Sequence, residues 1–209
     1  ARQSRIRLSA EVVRDSYLAD SGLLARKVGG PSIYPRLPKD IAALGYANSV
    51  RWPESKGDDK YRRGLYIFFR RSVPYPMLMT FDAPDSTATC TRRERSNTPL
   101  QALTLLNDPV FFECAQALGK RIDSEIASSD HVSKIRHGFK LCTARDPSKA
   151  EMNRLTQMFD RHLKLAKADP ELAAASLGVK PDEKGLAERA TLVALSRVML
   201  NLDEFITRE

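Results

Sequence analysis

One stretch constrains this chain more than any other: Cys90–Asp108, CTRRERSNTPLQALTLLND. Within it Thr98, Pro99 and Gln101 spell the start of a helix. Thr98 supplies an N-cap hydroxyl, Pro99 has the φ of a first helical residue, and Gln101 stands three after the cap, where its amide closes a capping box. Leu100, Leu103 and Leu106 follow at helical spacing, which predicts a buried face carrying those leucines. Just upstream, Arg92, Arg93 and Arg95 set three cations beside a helix N-terminus, the end that favours anions. Their charge calls for a negative partner. Asp82, Asp85 or Glu94 would supply it within the chain; a bound anion would supply it from outside.

Further helix starts follow. Asp108-Pro109 repeats the cap-plus-proline signal, Asp130 is a third cap, and Ser148 with Glu151 forms a second capping box. The apolar sets Phe111/Cys114/Leu118/Ile122, Val132/Ile135/Phe139 and Met152/Leu155/Phe159 mark their inner faces. A last helix is expected over about 183–200, and residues 169–184 read as a polar connector with room for one helical turn. Short loops between helices imply antiparallel packing. The first hundred residues are different, holding eight of the twelve prolines. A helix capped by Ser9 should carry Val13 and Tyr17 inward. Residues 40–60 read as a long loop anchored by Tyr46 and Trp52, and 61–73 as a short strand or extended segment. The expected fold is therefore mainly α: an irregular Pro/Arg/aromatic-rich N-terminal half (1–97) with at most a small strand element, packed on an antiparallel helical bundle (98–209). We take 1–209 as a single domain. Since residue 1 is Ala rather than Met, the domain reads as excised from a longer protein.

The composition, 42% hydrophobic and 29% charged, is that of a folded globular chain. No apolar run reaches the ~20 residues of a membrane span, and no signal-peptide core is present in this stretch. The whole net charge of +8 arises in residues 1–100, where fourteen Arg outnumber four Lys. Arginine in excess of lysine suits planar, bidentate recognition of carboxylate, sulfate or phosphate. The doublet Arg62-Arg63 joins the candidate anion-binding set on that ground, as does Arg70-Arg71. Cys90, Cys114 and Cys142 lack CxxC spacing, so neither a zinc site nor a haem attachment is written here, and no cofactor is expected.

The familiar catalytic patterns are missing: there is no G-x-S-x-G, H-E-x-x-H or P-loop. His131, His137 and His162 share no helical ligand spacing, and Gly57-Asp58-Asp59 reads as a turn. Asp82 and Asp85 could act as paired carboxylates, which keeps open an enzyme acting on polysaccharide. Trp52, Tyr46 and Tyr75 could cover sugar faces or plug the core. Nucleic-acid binding suits a basic, aromatic half, but no helix-turn-helix, zinc-finger or RNP pattern accompanies it.

The pieces SAEVVRDSYLADSGLL, GGPSIYP, YRRGLYIFFRRSVPYP, TFDAPD, CTRRERSNTPLQALTLLNDPVFFE and LNLDEF resemble a family known only as a domain of unknown function, number 1553. That family is typical of planctomycete bacteria and sits C-terminal to cytochrome-c-like domains in large exported proteins. The resemblance implies an exported parent with a separate electron-transfer module; it brings no activity and no catalytic residues. The resulting expectation is a non-catalytic interaction module. Its arginine-rich half would meet an acidic partner domain of the same parent, cytochrome-c-like or other, or an anionic polysaccharide.

Overall fold

The computed structural model describes residues 5–37, 52–71, 74–127 and 130–208. The expected anchor Tyr46 and most of the expected loop around it lie outside these residues. The protein is mainly helical: 59% of the described residues lie in helix, and among them there is a single two-stranded antiparallel sheet. The chain divides into two compact units. The first comprises Ala1–Ala19, Leu23–Phe111 and Ile206–Glu209, the second Asp20–Gly22 and Phe112–Phe205. No helix is long and apolar enough to cross a membrane among the described residues.

In the first unit, strand β1 (Ile6–Arg7) pairs with β2 (Thr207–Arg208), with Ile6 opposite Arg208 and Arg7 opposite Thr207. Helix α1 (Ala10–Asp20) starts where Ser9 predicts and buries Ala10, Val13, Tyr17 and Leu18. Arg14 lies in the same inward stripe. The end of the expected loop forms a 3-10 turn, Gly57–Tyr61, and the stretch read as a short strand or extended segment holds a second, Gly64–Tyr66. Isolated bridges join Ala25 to Arg62 and Ile33 to Ile67. A Cβ on Gly64 would fall 2.9 Å from Glu11 Cα, so the second turn seats on α1 only because residue 64 has no side chain. Helix α2 (Pro76–Thr80) and helix α3 (Pro99–Asn107) complete this unit's helices. Tyr34 packs on Phe68 at 5.0 Å and edge-on to Trp52 at 5.2 Å, while Trp52 stacks on Tyr75 at 6.2 Å. Tyr75 is buried and Trp52 half-buried among these rings, so neither is a free sugar platform.

The second unit is built from the predicted caps. Helix α4 (Pro109–Glu125) leads into it, and Asp130 caps α5 (His131–Thr143) by accepting from Val132 N and Ser133 N. Ser148 and Glu151 form the capping box of α6 (Lys149–Ala168). The segment read as a polar connector is a two-turn helix, α7 (Pro170–Leu177), with Asp169 as N-cap and Gly178 at φ +67° closing it. The local signals for it were all present: Asp before Pro, then Gly eight residues on. Helix α8 (Leu186–Leu200) begins three residues later than expected; α9 (Asp203–Ile206) is a single turn. Helix α8 is the most buried element, packing against α5, α6 and α7 with Leu192, Leu195, Met199 and Leu200 inward. No disulfide joins the cysteines: Cys90 is exposed, while Cys114 and Cys142 are buried thiols. Burial pushes the Cys142 thiol pKa up, out of reach of thiolate chemistry.

Candidate functional site

The basic, aromatic half contains two populations of arginine. The first is internal. Arg14 donates from Nη1 to Arg62 O at 2.6 Å and from Nη2 to Lys60 O at 2.8 Å. Arg62 donates in turn to Pro31 O at 2.9 Å and to Gly29 O, with its guanidinium 4.0 Å above the Tyr66 ring. Both side chains are 1% exposed. The carbonyls they clamp belong to loops, a 3-10 turn and an isolated bridge rather than to an α-helix or sheet, and a buried carbonyl needs a donor. Arg62 is therefore a strut of the core, which corrects its expected place among the anion-binding residues. Its neighbour Arg63 faces outward but pairs with Asp15 at 3.0 Å; Asp15 also accepts from Gly64 N at 2.6 Å.

The third internal arginine, Arg7, meets the carboxylate on which the predicted site turns. Asp82 follows α2 with φ +60°, a left-handed conformation that Asp tolerates better than most residues. Its carboxylate accepts from Arg7 Nη2, from Ser96 N at 2.8 Å and from Ser96 Oγ at 2.9 Å, with Gln101 Nε2 at 3.4 Å. Arg7 Nε donates to Ser96 O at 2.6 Å. Burial pushes the Asp82 pKa up, but the Ser96 and Arg7 hydrogen bonds outweigh it and hold the carboxyl below its ordinary value. Asp82 is one of the three carboxylates, with Asp85 and Glu94, that the sequence offers the 92–95 cluster as a partner. It pairs with Arg7 instead, because the β1–β2 ribbon carries that residue into place.

The helix start at Thr98 forms as predicted. Gln101 N donates to Thr98 Oγ1 at 3.4 Å, and Gln101 Oε1 accepts from Thr98 N at 3.3 Å. Gln101 Nε2 also donates to Thr80 O at 3.0 Å and Ser96 Oγ at 3.1 Å, so this one amide ties α3 to the Asp82 knot. That fixes the helix about its axis. Gln101 and Leu105 face inward, Leu106 is half-buried, and Leu100 and Leu103 are exposed, which reverses the expected leucine face.

The second population is external. Arg92, Arg93 and Arg95 are all exposed. Arg93 pairs with Glu11, both oxygens at 2.9 Å. Among the described residues the guanidiniums of Arg92 and Arg95 take no hydrogen-bond or ion-pair partner, and Glu94 beside them is exposed and pairs with neither. Asp85 is folded into its own turn, accepting from Thr87 N at 2.9 Å and Thr87 Oγ1 at 2.8 Å. Those bonds hold its carboxyl below the ordinary value. Asp82 is saturated and Asp85 self-bonded, so the two do not form the free pair that acid–base work needs. No group of three or more His, Cys, Asp or Glu among the described residues is placed to hold a metal ion. His131 stacks on Phe159 at 5.0 Å, and His137 meets Glu125 at 2.6 Å.

Sequence reasoning missed Arg7, Arg14, Glu11 and Ser96. Only Arg14 left a signal: it stands four residues after Ala10 and four before Leu18, inside the apolar stripe of α1.

Residues 1–159, about three quarters of the chain, match the model of a family described as a protein of unknown function (DUF1553). The LNLDEF segment lies beyond the matched residues. No curated protein and no solved structure matches the chain.

Proposed function

Because the chain belongs to the family of proteins of unknown function DUF1553, whose description supplies no activity, we propose from its residues that it is a non-catalytic interaction module. It works within a larger exported bacterial protein of planctomycete type and binds an anionic partner through its arginine-rich unit. The partner is an acidic domain of the same parent, such as a cytochrome-c-like one, or an anionic glycan. One observation carries this reading: among the described residues, the exposed guanidiniums of Arg92 and Arg95 take no partner next to Arg93, in a unit whose buried Arg14 and Arg62 donate to backbone carbonyls. Exposed arginines held on an anchored loop suit bidentate contact with outside carboxylates or sulfates.

The test is retention on carboxylated and sulfated polysaccharide columns as salt rises through about 0.15 M, where exposed ionic contacts are screened. The parent chain should be retained at low salt and released steeply, and R92Q/R95Q should elute early with unchanged melting. Equal retention of variant and parent would remove these residues from any binding role.

A further inference from the structure

Helix α3 turns Leu100 and Leu103 outward a few residues after Arg92 and Arg95, whose guanidiniums take no partner among the described residues. Leu100 is 60% and Leu103 53% exposed, one helical turn apart. They cannot be rolled inward, because that would pull Gln101 off Thr80, Asp82 and Ser96 and lift Leu105 from the core. Arg95 belongs to the same locality: its charge acts on Arg7, the guanidinium bound to Asp82. Two leucines and two cations without partners among the described residues thus share a stretch of twelve residues, from Arg92 to Leu103, anchored at one knot through Ser96 and Gln101.

Resting on the anion-binding reading above, we infer that this face docks an acidic amphipathic helix of a protein partner. The partner's apolar ridge lies against Leu100 and Leu103, and its carboxylates reach Arg92 and Arg95. Charge complementarity selects the acidic side chains. The leucines select protein over glycan, since a hydrated polyanion would use the arginines and leave the ridge in water. A ridge of residues spaced three apart fits an amphipathic helix with matching anchors at i, i+3, i+4 and i+7. The exposed apolar area is small, so the leucines serve as anchors among polar contacts and not as a broad hydrophobic interface.

The experiment uses two synthetic helical peptides of equal length and equal glutamate content. One carries leucines at i, i+3, i+4 and i+7; in the other each leucine is glutamine. At 0.15 M NaCl the chain should bind the leucine peptide about tenfold more tightly. L100S/L103S should erase that preference without changing the melting temperature, as both positions are exposed, and R92Q/R95Q should weaken both peptides. Equal affinity for the two peptides, or a preference that survives L100S/L103S, overturns the docking inference and leaves the arginine reading standing. Failure of the parent chain to bind either peptide overturns the docking inference. If polysaccharide retention is then also unaffected by R92Q/R95Q, the anion-binding reading falls as well.

Discussion

The two units solve the problem of buried backbone in opposite ways. In the second, carbonyls and amides are spent inside helices, so side chains are left to pack: Ile122, Ile135, Phe139, Leu195 and Met199 fill its interior. In the first, loops and 3-10 turns leave some carbonyls beyond the reach of regular structure, and arginine side chains reach in to take Gly29 O, Pro31 O, Lys60 O and Arg62 O. The basic composition of the first half is thus partly a structural device. A guanidinium offers five donors in a rigid plane, which suits bridging several carbonyls of separate segments. The lesson is that an arginine count overstates the charge available for binding wherever regular structure is sparse.

The largest expected effect tests that contrast directly. Arg14→Met would remove the guanidinium bonds to Arg62 O and Lys60 O, at about 1–3 kcal/mol for each bond lost and about 2–6 kcal/mol together. The single tryptophan, Trp52, lies in this unit, so its fluorescence in a urea titration reports the loss. Arg14→Lys should rescue little of it, because an ammonium cannot span both carbonyls. A midpoint unchanged by Arg14→Met would erase the distinction between the units.

Next in size, Leu195→Ala should cost about 2–5 kcal/mol and Leu195→Met less than about 1.5, both read by circular dichroism at 222 nm. Here shape tolerance, not hydrogen bonding, sets the outcome. If Leu195→Met is as harmful as Leu195→Ala, the second unit also depends on something other than packing.

The pH dependence of the units should run in opposite directions. Asp20, in the second unit, has its pKa raised from 3.8 to about 6 by burial, partly countered by Arg121. The folded state then holds a proton that the unfolded state has released, so stability falls as pH rises from about 4 to about 6. Screening reduces this to about 1–2 kcal/mol. Asp82, in the first unit, is depressed, so its contribution is present above the unfolded value near 3.8 and lost as pH falls through the folded one. Asp20→Asn should flatten the upper slope and Asp82→Asn the acid one, in urea midpoints taken from pH 3 to 7. Slopes of the same sign would contradict these assignments.

The smallest effects lie on α3. Thr98→Ala removes a cap at about 1 kcal/mol, while Leu103→Ala, on the exposed face, should stay within about 0.5 kcal/mol. A Leu103→Ala loss above about 2 kcal/mol would restore the buried leucine face that the sequence suggests.

What could be read in advance was local. The caps at Thr98, Asp130 and Ser148 need only the next three residues, and all three form as written. Helix rotation could not be read, because it is set by Gln101 meeting Thr80 and Asp82 across about twenty residues. Nor could the fate of Arg7 and Asp82, paired across 75 positions. Composition marked the first half as arginine-rich but did not separate Arg62, buried, from Arg92, exposed; only tertiary structure divides them.

The β1–β2 ribbon bears on the order of folding. Its strands come from opposite ends of the chain, and Leu8 N reaches Ile206 O at 2.8 Å across nearly the whole length. Closing so long a loop is entropically expensive, whereas the helices of residues 112–205 mature from near-neighbour contacts. On a ribosome, the unit that begins first is therefore the one that finishes last. Pulse-labelling hydrogen exchange during refolding should find the Leu8 amide protected after those of α5 and α8. Arg7, seated on that ribbon, delivers its hydrogen bonds to Asp82 and Ser96 only when the ribbon closes, so the knot beneath α3 is a late-forming latch.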